Sequence, residues 1–355
     1  MGYLLATGLH GAFIQIYRIY LIFKTLTKLL HNRRVLNVLQ ITFPFFALVL
    51  CGYIAARKGI LPHAAIPGLN SFVLFFALPC MLFRFGASTP IAQLLDASVF
   101  GIYLFCALVM VAFTIAVTKN KRMGWNDASL GALVAAFPNT GFMGVPLLVA
   151  LLGAQAAGPA IITIVIDMVI TSSLCIALSR LDGADEHGFS KAAKTALKGM
   201  LSNPMPWSIL LGTLASAISL TLPKPLAVTL GLLADAASPV ALFTIGAVLA
   251  RSQMNSHELH EQISWTDYVP VAAIKLFVHP ILVLLVGLSA KQLGAPIDTF
   301  TLTVLVLIAT LPSASNVSLL AERFGANNGR IARIILISTA LAFLTFSGAV
   351  ALLRP

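Results

Sequence analysis

Charge is what this sequence has least of. Only 10% of its 355 residues are Asp, Glu, Lys or Arg, against about 25% in ordinary soluble domains, and that excludes a soluble globular domain. Its four cysteines, Cys51, Cys80, Cys106 and Cys175, form no CxxC pair and all lie in apolar runs. They read as small buried hydrophobes, and no disulfide, zinc or haem framework follows from them or from the seven histidines. GxxxxGK[ST], HExxH and GxSxG are all missing, which argues against P-loop ATP hydrolysis, zinc peptidase chemistry and a hydrolase elbow. An intramembrane aspartyl protease would want two facing aspartates in a GxGD-like context, which Asp167 lacks. No enzyme activity, cofactor or metal is expected.

Apolar sequence is there in quantity: 59% of residues are hydrophobic and the mean hydropathy is +0.95. A bilayer span needs about 20 mostly apolar residues. Ten stretches qualify: 38–56, 67–87, 98–118, 128–152 and 159–179, then 205–222, 226–250, 269–289, 298–322 and 331–353. The fold class expected is therefore an all-α polytopic membrane protein with ten transmembrane helices.

The net charge of +11 could suggest nucleic acid, but the basic residues are scattered between apolar runs and form no basic, aromatic-interleaved face. One set of loops carries Arg57, Lys58, Lys119, Lys121, Arg122, Arg180, Lys191, Lys194, Lys198, Arg251, Arg323, Arg330 and Arg333, thirteen in all. The opposite set, with the C-terminal tail, carries Arg84, Lys224, Lys291 and Arg354. The positive-inside rule puts the first set in the cytoplasm and both ends of the core outside a bacterial inner membrane. The basic extension 1–37 does not fit that scheme. It reads as a surface helix, as a weak targeting segment, or, the favoured reading, as a translation start set too early, with synthesis beginning near Val35.

Two spans carry helix breakers. "FPNTGFMGVP" (137–146) has two prolines, two glycines and an asparagine inside an apolar run, and "LPSASNVS" (311–318) is its counterpart in the second half. In lipid, interrupted backbone is tolerated only where it is buried in protein or lines a wet cavity. A second internal match, "PCMLFRFG" (79–86) with "PVALFTIG" (239–246), shares Pro, Leu, Phe and Gly at equal positions. Together these place a five-helix repeat at 38–180 and another at 205–355, joined by a cytoplasmic loop at 181–204. An odd span number inverts the second copy. Two broken helices brought together in opposite orientations offer free amides and positive dipole ends to an anion. The alternative is that the prolines only kink packed helices.

At these residues the chain resembles the auxin efflux carrier family. "FPNTGFMGVPLL" is similar to the family's fourth-span motif, "LPSASNVSLLAERFG" to its ninth-span motif, "AAIKLFVHPIL" to its eighth span and "ITFPFFALVLCGYIAARKGIL" to its first. The resemblance covers about 35–353. It implies a five-plus-five inverted repeat with a scaffold part and a transport part, spans 4 and 9 crossing beside an organic-anion site. Pro138, Asn139, Pro312 and Asn316 are the positions carried over, and Thr140, Gly141, Ser313 and Ser315 flank them as further substrate-binding candidates. Plant members have a long loop between the halves, whereas this chain has a short one, like bacterial members similar to malonate and malate carriers.

Two ionisable residues fall inside spans, Lys275 and Asp167, and an intramembrane charge is functional by default. Lys275 either attracts a substrate carboxylate or acts as a structural lock. Asp167 either carries a coupling proton or pairs with Lys275. Asp235 lies in the seventh span near its end, where simple exposure is at least as good a reading as a functional charge. His279 reads as a titrating participant or a packing residue. His257, His260 and Glu261 read as a solvated loop rather than a metal site. The expected function is a secondary transporter of a small organic anion, malonate-like or malate-like, driven by the anion's own gradient, by the membrane potential or by a coupled H+ or Na+, with a homodimer through the scaffold part as the oligomer to expect. The alternatives are a monocarboxylate or auxin-like aromatic acid as cargo, or an anion channel or intramembrane enzyme.

Overall fold

The computed structural model describes residues 33–89, 96–181, 204–258 and 263–353. Most of the N-terminal extension, the loop 182–203 and the His260 and Glu261 pair lie outside the described residues. Among the described residues twelve helical segments follow one another: α1 (Arg33–Arg57), α2 (His63–Ser88), α3 (Ala97–Thr118), α4 (Trp125–Ala136), α5 (Thr140–Leu152), α6 (Ala154–Leu178), α7 (Pro204–Ala217), α8 (Lys224–Glu258), α9 (Trp265–Gln292), α10 (Thr299–Thr310), α11 (Val317–Phe324) and α12 (Asn328–Leu353).

Seven of these are long and apolar enough to cross a membrane: α1, α2, α3, α6, α8, α9 and α12. They match seven of the ten expected spans. The fourth and ninth expected spans are each two short helices, α4 with α5 and α10 with α11, because Pro138 and Pro312 interrupt them. The sixth, α7, has 14 residues, about 21 Å at 1.5 Å per residue against a hydrocarbon core of about 30 Å.

Capping explains several ends. Asp96 accepts the amides of Ser98 and Val99 at the start of α3, and Asp298 accepts Thr301 N at the start of α10, each occupying amides that lack an intrahelical partner. Gly325 ends α11 at φ +71°, a conformation that only glycine enters without strain.

The helices sort into two groups by packing. In the first, α1 packs on α8 and α7 on α2, with α2 also against α8. Glycine makes both main contacts close. A side chain at Gly52 of α1 would run into Phe243 O of α8, and one at Gly246 into Val49 O of α1. In the other pair a side chain at Gly212 of α7 would run into Phe83 O, and one at Gly86 of α2 would lie 2.8 Å from Ile209 O. Phe83 and Gly86 close "PCMLFRFG", and Phe243 and Gly246 close "PVALFTIG". The two matched segments therefore do the same job, each receiving a helix backbone at its glycine, as small residues allow in membrane packing.

Replacing Gly246 by valine is expected to push α8 off α1 at an overpacking cost of about 1–3 kcal/mol or more. Gly231→Val, on the same helix with nothing within 4 Å of its added carbon, is the control. Size-exclusion profiles in detergent should show a depleted monodisperse peak for the first variant and a normal one for the second.

The second group holds α3 to α6 and α9 to α12, and the largest buried cluster runs through it into the first group at residues such as Val49, Leu82, Ile209 and Leu242. Within α4 every residue from Ala128 to Ala136 is buried, as are Val304 to Thr310 of α10. Large apolar side chains such as Phe43, Phe76, Phe105, Leu214, Leu232 and Leu285 are exposed, as befits surface facing lipid. Cys106 and Cys175 are buried, as expected, but Cys51 is exposed on α1: an apolar run in a membrane protein has a lipid side as well as a core side. Asp235 is exposed too, and pairs with Arg84 at 2.7 Å.

Candidate functional site

The two breaks meet. Pro138 and Ser313 form an antiparallel bridge, with Asn139 N donating to Pro312 O at 2.8 Å and Ala314 N donating to Phe137 O at 2.9 Å. Each interruption thus satisfies the other, which is how extended backbone becomes tolerable inside a buried apolar cluster. Gly144 permits the approach, since a side chain there would lie 2.6 Å from Leu311 Cδ1. Ser313 N donates to Ser338 Oγ on α12 at 3.2 Å.

Four amides of the two breaks are left over. Pro138 and Pro312 have none to offer, and Thr140 N returns to Pro138 O. The amides of Gly141 and Phe142, at the start of α5, and of Ser315 and Asn316, before α11, have no acceptor among the described residues. Each pair sits at a helix N-terminus, the positive end of the helix dipole. The side chains of Asn139 and Asn316 make no capping bond to their own helices. Thr140 Oγ1 and Ser313 Oγ are buried without a partner among the described residues. Beside Gly141 the space is open, nothing lying within 4 Å of an added carbon. Proline, asparagine and hydroxyl residues expected at the site are therefore brought together, with Asn139 buried and Ser315 and Asn316 half-buried.

A small cavity lies against this meeting point, lined by Phe142, Ser315 and Asn316 on the break side and by Asn70 of α2 and Thr244 of α8 on the other. It sits between the two helix groups. Its lining contains no charged side chain. Asn70 and Thr244 were not singled out from the sequence; a lone asparagine inside an apolar span was the available signal for the first, and a threonine gives none.

Lys275 lies elsewhere. It is fully buried and its Nζ donates to Ala309 O at 2.8 Å, with His279 Nδ1 at 3.0 Å. Ala309 is in the last turn of α10, where carbonyls have lost their helical donors to the break, so the ammonium caps the negative end of that helix. Asp167, on α6, accepts from Tyr103 OH at 2.7 Å and from Thr171 Oγ1 at 3.2 Å. Tyr103 and His279 rings lie 6.3 Å apart, so the two intramembrane charges share one polar cluster across α3, α6, α9 and α10. They form no ion pair within 4.0 Å among the described residues. Both charges sit in π-helical turns, Ile166–Thr171 and Ile274–Val278, a distortion frequent at functional sites. Tyr103 was missed from sequence, although a phenol inside an apolar span signals a buried polar partner. Among the described residues no group of three or more His, Cys, Asp or Glu could hold a metal.

A family model described as "Membrane transport protein" matches residues 37–350. A Rhizobium meliloti protein named "Putative malonate transporter" is 29% identical over 323 residues, covering 90% of this chain and 96% of its own length. The "Uncharacterized transporter YfdV" of Escherichia coli (strain K12) is 25% identical over 294 residues, 79% of this chain and 86% of that one. "Auxin efflux carrier component 4" of Arabidopsis thaliana is 29% identical over 119 residues, 33% of this chain and 19% of its own length. The length of the family match, and relatives that are themselves named transporters, agree with the apolar helices long enough to cross a membrane, and this chain belongs to the auxin efflux carrier family of membrane transport proteins.

Proposed function

We propose that the protein is a secondary transporter of a small organic carboxylate, malonate or a close relative, working by alternating access. The observation that carries this reading is the meeting of the two breaks, with four unpaired backbone amides and two uncapping asparagines at positive helix ends. Such a constellation suits a carboxylate, which takes several N–H donors and is favoured by both dipoles. The name of the Rhizobium meliloti relative supports malonate as the first cargo to try.

On this reading the chain is a ten-span protein of two inverted five-helix repeats, with α4/α5 and α10/α11 as the crossing pair. The equivalent glycine contacts of α1 with α8 and of α7 with α2 support the repeat. The cavity between the helix groups supports motion of one against the other. Pro138, Asn139, Thr140, Gly141, Pro312, Ser313, Ser315 and Asn316 shape the substrate site. Asp167 carries the coupling proton: its oxygens are held by hydroxyl donors, and a proton needs no coordination shell. The excess of loop lysine and arginine supports core termini outside a bacterial inner membrane.

Uptake of labelled malonate by purified protein in liposomes tests the reading, with malate and an indole carboxylate as competitors. Malate should compete, an inward proton gradient should raise uptake, and Asp167→Asn should remove the effect of the gradient. Suppression by the indole acid but not by malate would replace the dicarboxylate by an aromatic acid. No uptake of any acid by folded protein would overturn the proposal.

A further inference from the structure

We propose that Arg330 is a positioning residue for the first break, pinning α4 from the end opposite to Pro138. The inference rests on the transporter reading for its functional meaning, but its geometry does not. Arg330 opens α12 and is 3% exposed, yet among the described residues no carboxylate lies within 4.0 Å of it. Its Nε donates to Asp267 O of α9 at 2.7 Å and its Nη1 to Asp127 O of α4 at 2.9 Å. The guanidinium fills the notch left by Gly131 of α4, where a side-chain carbon would lie 2.8 Å from Nη1 and 2.9 Å from Nη2. Nη2 itself has no partner among the described residues.

The surroundings make this an expensive place for a cation. The first turns of α4, α9 and α12 converge there, three positive helix ends, and desolvation adds to the cost. Asp127 and Asp267, each in a first turn, offset part of it. A flexible apolar side chain would fill the notch without that penalty. What the guanidinium adds is direction: its planar fork fixes two carbonyls on two helices relative to a third.

Direction matters because α4 is a rod held at its two ends by the two segments that flank α11. At the Arg330 end, Asp127 Oδ1 accepts from Asn327 N at 2.7 Å, Asn327 Oδ1 accepts from Arg330 N at 2.8 Å, and Asn126 Nδ2 donates to Phe324 O at 3.1 Å. At the other end Phe137 and Asn139 bond Ala314 and Pro312. Twelve helical residues lie between, about 18 Å. A turn or slide of α4 at its first turn is therefore carried to Pro138, where it would misalign both bonds of the bridge.

Hydrogen–deuterium exchange on the purified full chain tests the pin without using a substrate, with Arg330→Lys, Gly131→Ala and the double variant. Each single variant should speed exchange in peptides covering 137–145 and 311–318 about tenfold, the loss of roughly one hydrogen bond to a charged donor. Peptides from α1 and α8 should not change. Lysine's narrower ammonium leaves room for the alanine methyl, so Gly131→Ala should add little on top of Arg330→Lys. Additive effects, faster exchange confined to 125–131 and 325–333, or faster exchange in α1 and α8 as well would each overturn the pin. In liposomes the same variants should raise the KM for malonate more than they lower Vmax. The exchange pattern without any carboxylate uptake by the wild type would leave the pin standing and remove the transporter reading alone.

Discussion

Asn139→Ala and Asn316→Ala are each expected to cut malonate uptake by about 10- to 100-fold, while the protein still reaches the membrane and elutes as a single species. The magnitude follows from losing one hydrogen bond to a charged ligand, about 1.5–3 kcal/mol. Neither side chain caps its own helix, and the bonds that hold the breaks together run through backbone atoms, Asn139 N to Pro312 O and Ala314 N to Phe137 O. Alanine keeps those bonds. Removing either amide group therefore takes a donor from the site without unmaking the fold, and the thermal midpoint in detergent should move little. Transport at the wild-type rate by both variants would take the asparagines out of the site and leave the backbone amides as its whole recognition surface. Loss of the folded species in both would show instead that the side chains hold the breaks.

The breaks were legible in the sequence because helix breakers cluster there: Pro138 and Pro312 each stand in a run with asparagine and small polar residues, whereas the lone prolines Pro44, Pro239 and Pro270 sit inside helices, and both interruptions appear where the sequence puts them. The glycines at 86 and 246 were legible as a repeat, but not as contacts, since which helix lies against them depends on the fold of the whole chain. The same limit applies to Lys275 and Asp167. Their place inside apolar spans is a one-dimensional fact, and the structure does bring them into one cluster. That the ammonium reaches Ala309 O rather than the carboxylate depends on the register of α9 against α10, which no local pattern encodes. Tyr103, Ser338 and Arg330 were hidden for a related reason: each bonds a residue far along the chain, at separations of 64, 25 and 203 respectively. Loop arginines, moreover, read as topology before they read as structure.

Lys275→Met and Lys275→Ala carry the second large effect, and they separate two roles for this residue. Buried at 0% exposure and bonded to Ala309 O and His279 Nδ1, the ammonium does not line the cavity beside the breaks. A capping role therefore has the better geometric support, and a substrate-attracting role would require Lys275 to leave both partners. Methionine keeps the length of the stem and removes the charge, which relieves the desolvation of a buried cation. Against that gain, Ala309 O loses its donor, His279 Nδ1 loses its partner, and His279 Nε2 is already unpartnered; each stranded buried group costs about 1–3 kcal/mol. Alanine adds a cavity on top. Both variants should lower the thermal midpoint in detergent, alanine further than methionine. In liposomes both should depress the Vmax for malonate, because the end of α10 that carries the second break has lost its cap, while the KM of the remaining activity stays near the wild-type value. A KM raised about tenfold with an unchanged thermal midpoint would assign the ammonium to the substrate instead. Arginine at this position cannot rescue either function, since its planar fork is too wide for a pocket that is already closed around a single nitrogen.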